Sequence, residues 1–249
     1  MFVEWPNLPE DAASVLVDRR TPERIVKKIE QMGITCFKGA ILEEMHSATA
    51  GHVDMQLVHV GGNTFVCDPR VLSYYESIWQ GKNARLLSGN RLARRNYPED
   101  VAYNIVSVGT YAFHLQRATD EIAQRELSRR GVLWENVRQG YSKCSVCVVS
   151  REALITGDKG IARKAAALGL DVLCIDTQEI RLPGMNVGFI GGASGKLKRD
   201  LLAFTGDIKR MRCGQAIEAF CNAHGVQTIC LDSGEVLDVG SIIPITERK

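Results

Sequence analysis

A unit of strand, strand, helix and strand recurs along this sequence with a period of roughly 40 to 50 residues, and no other feature constrains the fold as much. In the clearest unit, VCVVSREALIT predicts a hairpin, IARKAAALG a helix that ends at Gly169, and DVLCID a third strand. The two preceding units begin at DMQLVHV and AYNIVSV. The following unit begins at NVGFIGG, continues through the basic loop GKLKRD and LLAFTGD, and ends at VQTICL.

The two ends of the chain hold the parts of one further unit. ASVLVDRR, TPERIVKKIEQMG and ITCFKG predict a second strand, a helix that begins at Pro22 and a third strand, with no first strand before them. SGEVLDVG and IIPIT near the C-terminus supply a strand with nothing after it. Pairing SVLVD with EVLDVG would close a ring and remove its free sheet edges. We therefore predict a single α/β domain over residues 1–249, a fivefold propeller of ββαβ repeats whose last unit is closed by N- and C-terminal segments.

Composition narrows the functional class. Hydrophobic residues make up 45% of the 249 residues and charged residues 24%, which is typical of a globular protein. A net charge of +2 gives no general electrostatic reason to expect nucleic acid, and no apolar run approaches the roughly 20 residues of a membrane helix. The first residues show no secretory signal, so the eight scattered cysteines are expected to be reduced thiols in the cytoplasm.

Polar residues occur at the leading end of the first strand of each unit. In a closed ring these ends face the central channel, so their side chains are candidates for one shared pocket. The leading segments are GHVDMQ, VAYN, YSKCS, PGMN and LDSGE. They contain the candidate site residues His52, Asp54, Asn104, Lys143, Cys144, Asn186, Asp232 and Glu235.

These residue types fit thiol chemistry. A cysteine attacks as the thiolate, and a neighbouring protonated His or Lys lowers its pKa from about 8.5 toward 3.5–7.5. We predict Cys144 as the nucleophile and His52 as general acid and base. Asp54 shares a strand face with His52 and could bind a cationic group, while Asp232 could orient the imidazole. The predicted substrate-binding residues are Asp54, Asn104, Lys143, Asn186 and Glu235.

A simpler interpretation of Cys144 stays open, because a cysteine in a strand is usually a small buried apolar residue. Cys147 would point to the opposite strand face and no second CxxC motif exists, so we expect no zinc site and no other metal or cofactor. GGASGKL looks like a phosphate loop, but Ile190 and Leu197 stand where that loop needs Gly and Ser or Thr. This stretch predicts a hairpin loop instead.

The ring and its motifs resemble the pentein fold of the guanidino-group modifying enzymes, which include arginine deiminases, dimethylarginine hydrolases and amidinotransferases. The sequence is also similar to a bacterial family that is assigned to this fold without a known activity. His52 and Asp54 match the His-x-Asp motif of the enzymes, Cys144 matches their cysteine motif, and DSGE (232–235) resembles their Glu-Gly-Gly-Asp motif. The order of these motifs around the ring also agrees.

The sequence departs from the enzymes at three places, and one of them is that Asp232 and Glu235 exchange lengths relative to the Glu-Gly-Gly-Asp motif. Lys143 stands where they have a histidine before the cysteine. Neutral Asn186 stands near the position of a carboxylate, which weakens the case for a guanidinium in particular.

The resemblance implies a cysteine-dependent hydrolase or transferase that acts on C–N bonds of a small amidine or guanidine-type compound. The alternative is a non-catalytic pentein module that binds RNA or a ribosomal surface. A basic run could supply phosphate contacts through Lys82, Arg85, Arg91, Arg94 and Arg95. No base-reading motif accompanies that run, so the expected partner is a small-molecule substrate rather than nucleic acid or a membrane.

Overall fold

The computed structural model describes residues 1–248, in which strands and helices alternate as the repeat predicts. The strands are β1 (Ala12–Val17), β2 (Thr35–Lys38), β3 (Leu57–Gly61), β4 (Thr64–Cys67), β5 (Arg85–Ser88), β6 (Val106–Val108), β7 (Tyr111–His114), β8 (Leu133–Asn136), β9 (Val146–Val148), β10 (Ala153–Thr156), β11 (Asp171–Cys174), β12 (Ser194–Lys198), β13 (Leu201–Phe204), β14 (Gln227–Cys230) and β15 (Ile243–Glu247). The α-helices are α1 (Glu23–Gln31), α2 (Val53–Gln56), α3 (Leu72–Ile78), α4 (Glu121–Arg129), α5 (Ser142–Ser145), α6 (Lys159–Ala167) and α7 (Gly214–Ala223).

The strands form five three-stranded sheets within residues 1–248. Their orders are β15-β1-β2, β3-β4-β5, β6-β7-β8, β9-β10-β11 and β12-β13-β14. In each sheet the middle strand pairs antiparallel with one neighbour and parallel with the other, for example β10 with β9 and with β11. A parallel partner needs a crossover, which the longer helices α1, α3, α4, α6 and α7 provide. The predicted fivefold ββαβ propeller is confirmed.

The closing sheet combines both ends of the chain, as predicted, but its first strand is not the predicted one. Strand β1 pairs antiparallel with β15, with Leu16 opposite Ile243, whereas EVLDVG is not a strand of this sheet. Gly240 and Ser241 both have positive φ, at +70° and +75°, and this breaks the extended backbone before β15 begins. Pro244 is tolerated because β15 is an edge strand.

The first strand of the β12-β13-β14 sheet also lies later than predicted. NVGFIGG is not a strand, and the supposed basic loop contains most of β12. The sequence of β12 did not indicate a strand because it contains Lys196. The Lys196 side chain is buried and donates from Nζ to the carbonyls of Val149 and Arg199 at 2.8 and 2.5 Å. A buried lysine that is satisfied by backbone carbonyls looks, in sequence, like a loop residue.

Hydrophobic packing joins each sheet to the next around the ring. Leu16 of the closing sheet packs with Phe65 of β4 in one cluster, and Val15 packs with Leu197 of β12 in another. The other junctions are filled by clusters around Val58 and Ala112, Val106 and Val146, and Ile155 and Phe204. All junctions of the described ring are therefore apolar, and none of its helices is both long and apolar enough to cross a membrane.

We propose that the ring unfolds as one cooperative domain. A chain that ends at Ile242 lacks only β15 of the described strands, yet it loses two buried isoleucines and exposes an edge of β1. We expect this truncation to abolish the cooperative transition in urea, because each buried isoleucine contributes ~2–5 kcal/mol and a typical domain is stabilised by only ~5–15 kcal/mol. Removal of residues 248–249 alone keeps β15 and should cost less than about 1 kcal/mol. Equal melting of the two truncated chains would contradict closure through β15.

Candidate functional site

Three short turns, each just before the first strand of a sheet, bring buried polar residues together. His52 and helix α2 lead into β3, a turn at residues 101–104 precedes β6, and helix α5 leads into β9. Asp54 therefore lies on a helical turn and His52 directly before that turn, rather than both on the predicted strand. Cys144 also lies on a helical turn, so the predicted strand geometry that set Cys147 on the opposite face does not apply. Hydrogen bonds nevertheless bring these three turns into contact with one another.

Asn104 ties the turns of α2 and α5 to each other. Its Oδ1 accepts the backbone N–H groups of Lys143 and Cys144 at 2.8 and 3.1 Å. Its Nδ2 lies 3.1 Å from the carbonyl oxygen of Asp54 and 3.0 Å from Cys144 Sγ. Asn104 is fully buried, so it holds the frame of the site from within.

The thiol of Cys144 lies against a carboxylate. Its Sγ donates to Asp54 Oδ2 at 3.2 Å, and the nearest side-chain N, O and S atoms of His52, Asp54 and Cys144 all lie within 4.8 Å of one another. The same residue types occur together in metal sites, but here the sulfur is already hydrogen bonded by Asp54 and Asn104.

Burial raises the pKa of Cys144 well above its ordinary value, and the charges of Asp54 and Asp238 raise it further. This direction is opposite to the lowered thiol pKa expected from the sequence. The reason is that Cys144 is only 3% exposed and has carboxylates, not an exposed cation, as its nearest charged neighbours.

Two residues that the sequence analysis missed complete the cluster. Asp238 lies with Oδ1 3.9 Å from His52 Nδ1, and its carboxylate accepts the N–H groups of Gly240 and Phe189 at 3.0 and 2.9 Å. Ser241 donates to Asp54 Oδ2 at 2.6 Å. Burial raises the pKa of Asp238, while the neighbouring His52 lowers it. The spacing of the Glu-Gly-Gly-Asp motif fits DVGS (238–241) as well as DSGE, and that spacing was the available signal.

Three predicted site residues lie outside this cluster. Asp232 pairs with Arg24 at 2.7 Å, and Arg24 lowers the pKa of that carboxyl. Glu235 is exposed and pairs with Arg181 at 2.7 Å, and Asn186 is exposed in the loop before β12. The cause is the later start of β12 and β15, which assigns the central turns to residues 190–193 and 238–242 instead.

The turn at residues 190–193 packs directly against α5. A side chain at Gly191 would collide with the carbonyl oxygens of Lys143 and Cys144, so only glycine allows this approach. The neighbouring Gly192 donates to the Cys144 carbonyl at 2.9 Å. GGASGKL is thus a central turn followed by a strand, not the predicted hairpin loop.

A cleft of about 240 Å³ reaches the cluster from outside. His52 and Asp238 form part of its wall, together with Arg20 and apolar residues such as Leu182 and Val239. Arg20 pairs with Asp18 at 2.7 Å and donates to the carbonyls of Ser47 and Ala48, and so anchors the irregular stretch before α2 at the rim.

The basic run at residues 82–95, which includes β5, is partly neutralised by nearby carboxylates. Arg85 pairs with Glu126 and Arg91 with Glu121, each at 3.0 Å, and Arg94 lies 3.9 Å from Glu99. The run therefore presents fewer unpaired cations than its sequence indicates.

Comparison with known proteins places this geometry in context. The model of a family of unknown function, DUF6873, matches residues 16–243. No curated protein matches the chain. Solved structures do match, with low sequence identity over nearly the full length of both chains.

The inosamine-phosphate amidinotransferase of Streptomyces griseus has 13% identity and a TM-score of 0.57, and covers 99% of this chain and 97% of its own. An amidinotransferase of the saxitoxin pathway of Microseira wollei has 10% identity, a TM-score of 0.57, and coverage of 99% and 98%. The agmatine deiminase of C. jejuni has 8% identity, a TM-score of 0.58, and coverage of 100% and 97%. These likenesses show the pentein fold that the sequence resemblance predicted.

The geometry predicts the order in which the thiols react in the ligand-free protein. Cys174 is exposed, whereas Cys144 is buried and has a raised pKa, so iodoacetamide at neutral pH should label Cys174 at least ~10-fold faster. Peptide mass spectrometry over a time course measures both rates in one sample. Labelling of Cys144 as fast as Cys174 would contradict the closed, protonated site described here.

Proposed function

The chain belongs to the DUF6873 family and has the pentein fold, and on this basis we propose that it is a cysteine-dependent enzyme acting on a small amidine, guanidine or related cationic nitrogen compound. The observation that carries the proposal is the buried cluster of His52, Asp54 and Cys144, whose functional atoms lie within 4.8 Å of one another. Structural neighbours with this fold include amidinotransferases and an agmatine deiminase, which supports the choice of substrate class.

Asp54 provides the substrate-binding charge in this proposal. One carboxylate oxygen, Oδ2, is occupied by Cys144 and Ser241, but Oδ1 is buried and has no hydrogen-bond partner within residues 1–248. A buried acceptor without a partner is costly, and the N–H groups of an amidinium would satisfy it. An amidinium bound there would lie beside the thiol.

The reaction begins when Cys144 Sγ attacks the amidine carbon. The S–H bond breaks with its electron pair left on sulfur, His52 takes the proton, and the new S–C bond pushes the C–N π electrons onto nitrogen. His52 then returns the proton to the departing amine as the C–N bond breaks. Water or an acceptor amine attacks the same carbon and gives its proton to His52. The S–C bond then breaks with its electron pair on sulfur, and His52 returns the proton to the Cys144 thiol. A carboxylate near Nδ1, that of Asp238, stabilises the imidazolium that forms.

The raised pKa of Cys144 fits this sequence of events. The thiol stays protonated and unreactive in the empty site, and a cationic substrate lowers its pKa by placing a positive charge beside the sulfur. The proposed steps use side chains, substrate and water or an amine. We place the reaction in the cytoplasm, where reduced thiols such as those of this chain persist.

The alternative of an RNA-binding module gains no support from a specific contact. Three of the arginines that would bind phosphate, Arg85, Arg91 and Arg94, lie beside Glu126, Glu121 and Glu99. The buried thiol cluster has no part in such a function.

Turnover of amidine and guanidine compounds, followed as ammonia or amine release, tests the proposal. We expect Cys144→Ser to abolish turnover, and His52→Ala to lower kcat by ~10²–10⁴-fold because general acid–base catalysis is lost. Asp54→Asn should impair substrate binding as well, since it removes the charge that faces the amidinium. Full activity of Cys144→Ser would overturn the proposal.

Two aspartates form a matched pair for the orienting role. Asp238→Asn should lower kcat by ~10-fold or more, because the imidazolium loses its carboxylate neighbour. Asp232→Asn changes only the surface pair with Arg24 and should leave kcat unchanged. The opposite result would return the orienting role to Asp232, as the sequence alone suggested.

A further inference from the structure

Lys143 is a buried charge that the proposed reaction does not use. Its side chain is 8% exposed, although lysine is almost never buried without a partner. The ammonium donates from Nζ to Ser241 Oγ at 3.0 Å. A buried lysine next to the candidate nucleophile Cys144 therefore calls for a functional explanation.

A chain of hydrogen bonds connects Lys143 to the thiol of Cys144. Ser241 receives the hydrogen bond from Lys143 and donates to Asp54 Oδ2 at 2.6 Å. The same Asp54 oxygen accepts from Cys144 Sγ at 3.2 Å. The path from the ammonium to the sulfur thus has three links, all of them buried.

The backbone at Ser241 gives independent support. Its φ of +75° lies in the left-handed region, which residues other than glycine seldom adopt. Strained conformations of this kind persist at functional sites when the surroundings fix them. Here the strained residue is the one that places a hydroxyl between Lys143 and Asp54, and its own N–H is held by the Gly192 carbonyl at 2.9 Å.

We propose that Lys143 is a positioning residue of the site, which acts through Ser241 and Asp54 to offset the negative charge that forms on Cys144. Proton transfer from Cys144 to His52 puts a negative sulfur next to the Asp54 carboxylate, and two adjacent anions in a dry site repel each other. The Lys143 ammonium is the cation joined to that carboxylate. The role of Lys143 in catalysis rests on the proposed function, whereas its coupling to the Cys144 thiol rests only on the hydrogen bonds through Ser241 and Asp54.

The charged and titratable groups around the pair are few. Cys144 faces Asp54, Asp238, His52 and Tyr141, and Lys143 also faces Cys147. Burial lowers the pKa of Lys143, and the nearby Asp54 and Cys144 raise it. The acidic neighbours thus offset part of the effect of burial, and the net direction is a lowered pKa of Lys143.

The test is the pH dependence of Cys144 labelling by iodoacetamide, followed by peptide mass spectrometry from about pH 6 to about pH 10. Because burial raises the thiol pKa, the rates of the variants are compared at equal pH on the rising limb of the profile, where the rate follows the thiolate fraction and so reports a shift of the midpoint. Exposed Cys174 in the same sample provides the reference rate. We expect Lys143→Met to move the midpoint up by about one unit, so that labelling below it slows ~10-fold. Ser241→Ala should shift the midpoint in the same direction, because it removes the link and keeps the lysine.

Lys196 provides the matched control, because it is also buried but bonds only to backbone carbonyls. Lys196→Met should leave the midpoint of Cys144 unchanged. An unshifted or lower midpoint in Lys143→Met and Ser241→Ala would overturn the coupling, as would a wild-type Cys144 that stays unlabelled throughout. If Lys143→Met does not fold, Ser241→Ala decides alone.

Turnover assays separate this inference from the proposed function. A shifted midpoint without turnover of any amidine would leave the coupling intact and overturn the proposed function. Turnover with an unshifted midpoint would overturn the coupling and leave the proposed function intact.

Discussion

The antiparallel pairing of β1 with β15 is the constraint on which the rest of the structure depends. Each end of the chain supplies only part of a sheet, and the strands of the closing sheet become complete when the two ends meet. Closure fixes the distance between non-neighbouring sheets, so the turns before β3, β6 and β9 must meet at the centre. It also buries the apolar junctions on both sides of the closing sheet, around Leu16 and Val15.

Where these turns converge, polar groups are buried away from water. Hydrogen bonds within the chain offset the free-energy cost of that burial. Asn104 satisfies two backbone N–H groups and contacts both the thiol and the α2 turn, while Asp238 is satisfied by two N–H groups. Asp54 Oδ1 and His52 Nδ1 are among the buried side-chain atoms that have no hydrogen-bond partner within the described chain. Buried polar atoms that the protein leaves unpaired are where a ligand gains most.

The sequence predicted the ring, the closure by both chain ends and the meeting of His52, Asp54, Asn104, Lys143 and Cys144, because strand and helix periodicity reports which segments face the core. It misplaced the strands β12 and β15. Strand β12 contains a buried lysine and β15 a proline, and neither residue is typical of a strand. The resulting error of several residues made Asp232, rather than Asp238, the candidate carboxylate. The sequence could not predict that the pKa of Cys144 is raised, because burial and distances between charges exist only in the folded chain.

The central claim is that the ring centre presents Asp54 and Cys144 together to an amidinium. The most direct measurement compares chloroacetamidine with chloroacetamide, which have nearly the same shape but differ in charge, by peptide mass spectrometry of the labelled protein. The account predicts that Cys144 reacts about tenfold or more faster with the amidine, that Asp54→Asn abolishes this preference, and that exposed Cys174 shows none. Equal reaction of Cys144 with both reagents, or the same preference at Cys174, would contradict it.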